Sequence, residues 1–391
     1  MKIVYVYPQF TEPAGTERIL IDKMNYLAER DEYEVFLLTN QQGRHSFVFP
    51  LSAKVQWLDF DVHFWELYRL NPFLRYLKNR TFKKQFSRRF SSFVADVKPD
   101  IVIASTFYSY IIDAVANCPF PYVRILESHI DKRFLYAGEF SNKKSLLKYI
   151  YLFYGRLKLT RLVPKYDILV TLNDQDSIDW SKYIRTIKIF NVVHLNQSGK
   201  YSNQQSKRII FVGRYVKQKG IGDLIIIWKW IHYKHPDWHL DLYGSGNIGD
   251  VVSLEENYDS INIHFNQADD DIFKHYLESS LLLLTSHYEP FGLVMPEAMS
   301  CGLPVVAFDC PSGPSEIITD GVNGYLIKNR DKRLFAEKVC ELIESPTLRL
   351  EMGQAAIESS FRFSEKNIMP KWEKLFSDLI LNSKNENSLY F

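Results

Sequence analysis

The run LLLLTSHYEPFGLVMPEAMS, residues 281–300, carries the most information in the chain. It opens as an apolar strand (281–286), passes through a loop holding Glu289, and enters a helix over 296–300. Pro296 suits a first helical turn, where its missing N–H costs nothing. A helix N-terminus offers free N–H groups and positive partial charge, a place for phosphate. Glu297, in that turn, can accept two hydroxyl hydrogen bonds, as a ribose diol offers. Taken alone, it is also an ordinary dipole-favoured acid. Two glutamates eight positions apart at the carboxyl end of a strand stand where parallel α/β sheets bind ligands.

Outward from this run, short apolar segments alternate with helical patterns. The strand candidates are 3–7, 33–39, 101–105, 122–127 and 168–172, then 208–212, 238–243, 261–265, 281–286 and 304–308. They are rich in Val, Ile, Leu and aromatics and bounded by Gly, Pro, Asn or Asp, the mark of buried parallel strands. Helical periods lie between them, for example over 17–30 and 222–234. Two such series predict two doubly wound α/β domains. The expected division is 1–190, a polar linker at 191–206, 207–363, and a C-terminal helix and tail at 364–391 that cross back to the first domain.

At 391 residues and 46% apolar composition, the chain can bury two cores. Net charge is +2, but residues 1–196 hold 28 Lys+Arg against 20 Asp+Glu, whereas the rest holds 20 against 26. Only the first half therefore suits an anionic surface. Cys118, Cys301, Cys310 and Cys340 form no CxxC pair and no zinc spacing, so they read as reduced buried thiols. No segment approaches the roughly 20 apolar residues of a membrane span, and the N-terminal apolar run is too short for a signal peptide. A cytoplasmic protein is expected, with a peripheral place on the inner face of the plasma membrane as an addition.

Further motifs follow strand ends. In Gly213-Arg214-Tyr215-Val216-Lys217-Gln218-Lys219-Gly220, Arg214 and Lys219 can meet one diphosphate, although an isolated basic loop is more often solvated. Lys217 reads as a surface charge. Pro13-Ala14-Gly15-Thr16-Glu17 has small residues that let backbone N–H groups approach a ligand. His129 follows the strand ending at Glu127, and 309–318 (DCPSGPSEII) forms a Gly/Pro turn into a helix.

The segment 286–302 resembles the paired-glutamate signature of glycosyltransferase family four, and the resemblance runs in order over nearly the whole chain. It implies the GT-B fold, two Rossmann-like domains facing across a cleft, and a retaining, metal-independent transfer of sugar from a nucleotide-diphosphate donor. It implies that Glu289 contacts the donor sugar, that His129 contacts the sugar or orients the reacting centre, and that Glu297 holds the ribose. Gly213, Arg214 and Lys219 correspond to the donor-phosphate loop. Phe291, Gly292 and Leu293 count with the donor-binding residues. Gly15 corresponds to the glycine-rich first loop, where Ala14 replaces a usual glycine. The 309–318 turn is similar to a variant found in glycan-assembly members that use UDP-hexoses or UDP-N-acetylhexosamines. No cofactor and no metal are implied, because fixed cations can neutralise the leaving diphosphate.

Three lookalikes fit this frame. Gly244-Ser245-Gly246-Asn247-Ile248-Gly249 matches GxGxxG but lacks a ribose-binding acid about 20 residues on, so it reads as lining the nucleotide pocket. Asp269-Asp270-Asp271 precedes a helix at 272–277 and reads as capping. Asp174-x-Asp176 lies in the wrong domain for a metal-dependent donor site. Asn266 departs from the glycine usual in relatives.

Residues 67–90 hold eight Lys+Arg and no acid, with Phe73, Leu77, Phe82, Phe86, Phe90 and Phe93 at near-helical spacing. Residues 140–166 hold seven and no acid. Two outcomes stand level on residues alone: packing on the first domain with solvated charges, or contact with an anionic membrane. The resemblance favours the membrane, since many relatives act on lipid-linked acceptors. No nucleic-acid module is present. The expected partners are thus a nucleotide sugar and a saccharide or lipid-linked acceptor. The rivals are an epimerase or hydrolase of nucleotide sugars on the same fold, and a non-catalytic nucleotide-sugar-binding partner subunit.

Overall fold

The computed structural model describes residues 1–135, 146–253 and 255–388, apart from the side chains of 146–153 and 384–388. The chain divides into two compact units, Met1–Val192 with Met369–Phe391, and Val193–Ile368.

In the first unit, β1 (Lys2–Val6), α1 (Gly15–Ala28), β2 (Glu34–Thr39), β3 (Gln56–Asp59), α2 (Pro72–Val97) and β4 (Ile101–Ser105) form the opening half. Then come α3 (Ser109–Ala116), β5 (Val123–Glu127), α4 (Leu146–Leu162), β6 (Ile168–Thr171), α5 (Asp174–Ser181) and β7 (Thr186–Lys188). The strands make one parallel sheet in the order β3-β2-β1-β4-β5-β6-β7. Strand order reverses between β1 and β4, the switch point at which α/β sheets open a crevice beyond the strand ends. Val4 of β1 and Val102 of β4 pair in register there, both fully buried.

The aromatic stripe of α2 splits in two. Asn71 caps the helix by accepting from the Leu74 N–H, and Pro72 occupies its first turn. Phe86, Phe90 and Val94 are buried in the core, with Phe82 and Phe93 packed against it. Phe73, Leu74, Tyr76 and Leu77, in the first two turns, are exposed together with Trp65 and Tyr68 just before them; Tyr68 is 81% and Phe73 70% exposed. Two of the cations counted there have structural partners. Arg75 donates to the Leu67 carbonyl at 2.9 Å, and Lys78 pairs with Glu66 at 2.6 Å. The basic segment is therefore core in its second half and projecting in its first. In the 140–166 segment, residues 140–145 lie outside the described residues; beyond them Leu159 and Leu162 are buried and Lys158 pairs with Asp113 at 2.6 Å. Among the described residues, no helix is long and apolar enough to cross a membrane.

The second unit contains β8 (Arg208–Val212), α6 (Ile221–Lys234), β9 (His239–Gly244), β10 (Ile263–Gln267), α7 (Ile272–Leu277), β11 (Leu281–Leu284) and α8 (Val294–Ser300). It continues with β12 (Val305–Phe308), α9 (Gly313–Ile317), β13 (Gly324–Ile327), α10 (Lys332–Glu344), α11 (Pro346–Ser360) and the start of α12 (Glu365–Ser388). Its parallel sheet runs β10-β9-β8-β11-β12-β13, with the reversal between β8 and β11.

The polar stretch 191–206 is not a free tether. Ser202 and Gln204 are buried, the Ser202 hydroxyl donates to the Ser279 carbonyl, and buried Arg349 donates to the Gln204 carbonyl at 2.8 Å. Its polar side chains supply hydrogen bonds to buried backbone, which is why composition alone suggested a linker. In the first unit, the Trp372 ring of α12 lies 4.2 Å from the Lys23 ammonium, and Glu373 pairs with Arg30 at 3.0 Å. All four cysteines are free and buried. Burial pushes the thiols of Cys301 and Cys310 up to about 12, so neither is a ready nucleophile.

Candidate active site

Three loops converge at the carboxyl ends of β8, β11 and β12. Gly220 starts α6 at φ +67°, and a Cβ there would sit 2.0 Å from the Thr285 carbonyl oxygen. Only glycine allows that approach, and it locks the loop after β8 against the loop after β11. Three hydrogen bonds continue the seam. The Thr285 hydroxyl donates to the Lys219 carbonyl at 3.1 Å, the His287 N–H to the Gln218 carbonyl at 2.8 Å, and the Gln218 amide to the Tyr288 carbonyl at 2.9 Å. Arg330, anchored on Asp223, donates to the Ser286 carbonyl at 2.8 Å and the Thr285 carbonyl at 3.0 Å. Sequence gave no sign of this arginine, which lies beyond β13.

The seam brings Lys219 onto Glu289. The ammonium is 2.5 Å from Oε2, and the Ser286 hydroxyl donates to the same oxygen at 3.1 Å. Glu289 is buried, yet its charge is met by a cation and a hydroxyl, as buried carboxylates require. Its backbone bridges to Ser312, and its carbonyl accepts from the Gly313 N–H at 2.7 Å, which ties in the loop after β12. Gly292 follows at φ +90°, where a Cβ would lie 2.9 Å from the Glu289 side chain. Glycine at 292 thus leaves the carboxylate room.

The other expected donor residues are placed differently. Glu297 is buried in the first turn of α8 and accepts from the Tyr276 hydroxyl of α7 at 3.3 Å. Arg214 is exposed, and its side chain makes no hydrogen bond or ion pair among the described residues. The Phe291 ring packs edge-on against Phe363, centroids 5.3 Å apart, so that side chain belongs to the core. Gly244 and Gly246 abut the backbone of Gly213 and Tyr215. The Asp269–Asp271 cluster does not cap α7 in the expected way. The Asp271 side chain makes no cap bond, while Asp269 bonds His275 at 2.8 Å and the Asp271 N–H at 3.0 Å.

In the first unit, Gly15 opens α1 just past β1, and His129 follows β5 with a buried ring. The loop carrying His129 is fixed by α5. The Ser128 hydroxyl donates to Asp176 at 2.6 Å, the Lys132 N–H to the same carboxylate at 2.8 Å, and the Asn173 amide to Asp131 at 3.0 Å. Asp176 of the DxD lookalike is thus a buried structural acceptor. Burial pushes its carboxyl up to about 7 against the lowering effect of the Lys132 and Ser128 hydrogen bonds. A raised carboxyl favours the protonated fold. Its stabilisation is complete below the ordinary aspartate value of about 3.9 and is lost as pH rises through about 7. Relative to wild type, the melting temperature of Asp176→Asn is therefore expected to climb as pH is raised across that window. A difference that stays constant with pH would mean that Asp176 is ionised throughout.

Lys23 was not foreseen. It lies on α1 beside Ile19, Leu20, Met24 and Leu27, all buried, and is itself only 2% exposed. Its ammonium is 2.5 Å from Oε2 of Glu127. A lysine inside the apolar stripe of a helix was the available signal.

Residues 196–359 match the family described as Glycosyl transferases group 1. The chain carries a glycosyl transferases group 1 domain. It is 25% identical over 385 residues to an uncharacterized glycosyltransferase of Haemophilus influenzae, covering 95% of this chain and 99% of that one. It is 32% identical over 192 residues to the poly(ribitol-phosphate) alpha-N-acetylglucosaminyltransferase of Staphylococcus aureus, covering 48% of this chain and 39% of that protein. Among solved structures, a mutant of S. aureus TarM in complex with Fondaparinux, alpha-GlcNAc-glycerol and UDP superposes with TM-score 0.75 at 16% identity over 96% of this chain and 99% of that one. The fold is that of the GT-B glycosyltransferases. With this domain and these named relatives, the chain is a glycosyltransferase.

Proposed function

We propose that this glycosyltransferase is a retaining member of family four that moves a hexose or N-acetylhexosamine from a UDP-sugar to a saccharide or lipid-linked saccharide in polysaccharide or glycan assembly. The observation that carries this is the part-buried Lys219–Glu289 pair where three strand-end loops meet. One cation for a diphosphate and one carboxylate for a sugar hydroxyl stand side by side. The names of the staphylococcal relative and the UDP complex support a UDP-linked donor and a polymeric acceptor.

In this mechanism the diphosphate settles on Gly213 and Lys219, and exposed Arg214 swings onto it. Two cations at fixed positions stabilise the departing charge without a metal. Glu297 holds the ribose, with the Tyr276 hydroxyl donating to its carboxylate. Glu289 and His129 orient the sugar, and Gly15 at the N-terminus of α1 contributes N–H groups in the acceptor-binding first unit.

A thermal-shift panel with UDP, GDP, ADP and UDP-sugars, with and without EDTA, tests the donor site. Stabilisation by uridine nucleotides, unchanged by EDTA, is expected. Glu297→Ala is expected to weaken donor binding by roughly 1.5–3 kcal/mol, the worth of hydrogen bonds to a charged group. Donor binding unchanged in that variant would remove the ribose assignment. Conversion of donor with no acceptor present would turn the assignment to an epimerase or hydrolase.

The projecting start of α2 supports a peripheral membrane contact. Phe73, Leu74, Tyr76 and Leu77 stand beside Arg69, Arg80 and Lys84, apolar surface beside positive charge. Co-sedimentation with anionic vesicles, lost in Phe73→Ser/Leu77→Ser and absent with neutral vesicles, is the expected result. Binding that survives the double substitution would place the contact elsewhere.

A further inference from the structure

Lys23, Glu127 and His129 form a buried line at the carboxyl edge of the first sheet. Lys23 comes from α1, Glu127 ends β5, and His129 stands two residues on; none is more than 6% exposed. One carboxylate oxygen, Oε2 of Glu127, lies 2.5 Å from the Lys23 ammonium and 3.2 Å from Nε2 of His129. The Trp372 ring lies 4.2 Å from the ammonium and the Tyr5 ring 5.7 Å from it. Phe107 stacks on the imidazole at 6.2 Å with the planes 18° apart. The contact of Nε2 with the carboxylate is short but not a fully aligned hydrogen bond, and Nδ1 is buried with no hydrogen-bond partner among the described residues.

A buried ion pair is a poor source of stability, because removing two charges from water cancels most of their attraction. What it does supply is direction. Burial pushes the Glu127 carboxyl up, but Lys23 and His129 outweigh that and hold it down at about 2. The carboxylate is therefore ionised at any working pH and remains an acceptor only. An acceptor-only neighbour selects the imidazole tautomer whose facing nitrogen carries the proton.

We propose that Lys23 and Glu127 are positioning residues for His129, holding the ring as the Nε2–H tautomer with the lone pair on Nδ1. This rests on the reading of His129 as the histidine that meets the sugar. Lys23 keeps the carboxylate charged and Glu127 sets the ring, so neither touches substrate.

The imidazole ¹⁵N spectrum of His129 in the full chain, assigned with His129→Ala, tests this without a substrate. The wild type is expected to show the single Nε2–H form when neutral. The double variant Lys23→Met/Glu127→Leu removes both charges at similar volume and is expected to fold and to show a mixture of tautomers. Lys23→Met/Glu127→Gln, should that double variant fail to fold, keeps the shape and removes both charges. With no ammonium to hold the amide oxygen at the Oε2 position, the amide can present either end to Nε2, and a mixture of tautomers is again expected. A wild-type tautomer that persists in the folded variants overturns the proposal, as does an Nδ1–H ring in the wild type.

Turnover gives the second readout, with the donor that the binding panel selects. The double variant is expected to lose about 10-fold or more in kcat, as when a histidine is held in the wrong tautomer, with donor KM little changed. In a His129→Ala background the same double substitution is expected to cost nothing further, because its effect passes through the ring. A further loss there would mean a merely structural pair and would overturn the proposal. Full turnover in His129→Ala alone would instead remove the role of His129, while the tautomer spectra would still judge the positioning.

Discussion

Glu289→Gln is expected to slow sugar transfer by about 10²–10³-fold, the scale of losing one preorganised polar contact in an active site, while leaving UDP affinity equal to or above wild type. The two effects differ in sign because of what Glu289 does before a donor arrives. Its carboxylate is 2.5 Å from the Lys219 ammonium and accepts from the Ser286 hydroxyl at 3.1 Å. Lys219 is therefore neutralised in the resting site, and a diphosphate must compete with Glu289 for it. Glutamine keeps the shape and the acceptor for Ser286 but removes the competing charge. The cation then meets the diphosphate without first giving up a partner. Turnover falls because an amide cannot hold a sugar hydroxyl as strongly as a carboxylate. Lys219→Ala should behave differently, losing both UDP affinity and turnover, and it leaves Glu289 buried without its counter-charge. Calorimetric titration of UDP and steady-state transfer assays on the two variants separate these outcomes. Equal losses of UDP affinity in Glu289→Gln and Lys219→Ala would mean that the carboxylate only braces the loop, and the sugar-orienting role would be withdrawn.

The parts of the fold legible in the sequence were those with one physical signature. The strands at 101–105 and 208–212 match the structure to the residue, because the buried middles of parallel strands need apolar runs. The missed strands sit at sheet edges. β3 has three of its four residues exposed and β7 is three residues long, so neither carries such a run, and β13 starts at a glycine. The apolar run at 281–286 suggested a strand two residues longer than β11, and those two residues, Thr285 and Ser286, in fact turn into the site. Site chemistry was legible one loop at a time. Spacing exposed Glu289 and Glu297 as a pair, one in the loop and one in the helix after it, but it could not show that Lys219, 70 positions away, closes on Glu289. Nor could it show that Phe291 turns inward, since an aromatic in a glycine-bearing loop suits a ligand and a core equally. The basic run at 67–90 packs on the core in its second half and projects in its first, a division that composition does not mark.

Lys23→Met alone is expected to destabilise the first unit by roughly 3–5 kcal/mol, the cost of stranding one partner of a buried ion pair. The size comes from where Glu127 would be left. It is 4% exposed, and among the described residues its Oε1 already has no hydrogen-bond partner and, without Lys23, only the Nε2 edge of His129 faces Oε2. Lys23 sets how far the Glu127 carboxyl falls, so its removal lets burial dominate and the pKa climb. The signs then follow. In wild type the carboxyl is depressed in the fold, so its stabilisation is present above the ordinary glutamate value and is lost as pH falls towards about 2. In Lys23→Met the carboxyl is raised in the fold, so the variant becomes less stable as pH rises through its new value. Chemical denaturation across pH should thus give a gap between wild type and variant that widens towards neutral pH and narrows in acid. Adding Glu127→Leu should close most of that gap at neutral pH, because the double variant buries no unpaired charge. A single variant as stable as wild type at neutral pH would show that water or the His129 ring compensates Glu127 without Lys23, and the ion pair would then lose its claim to hold the carboxylate ionised.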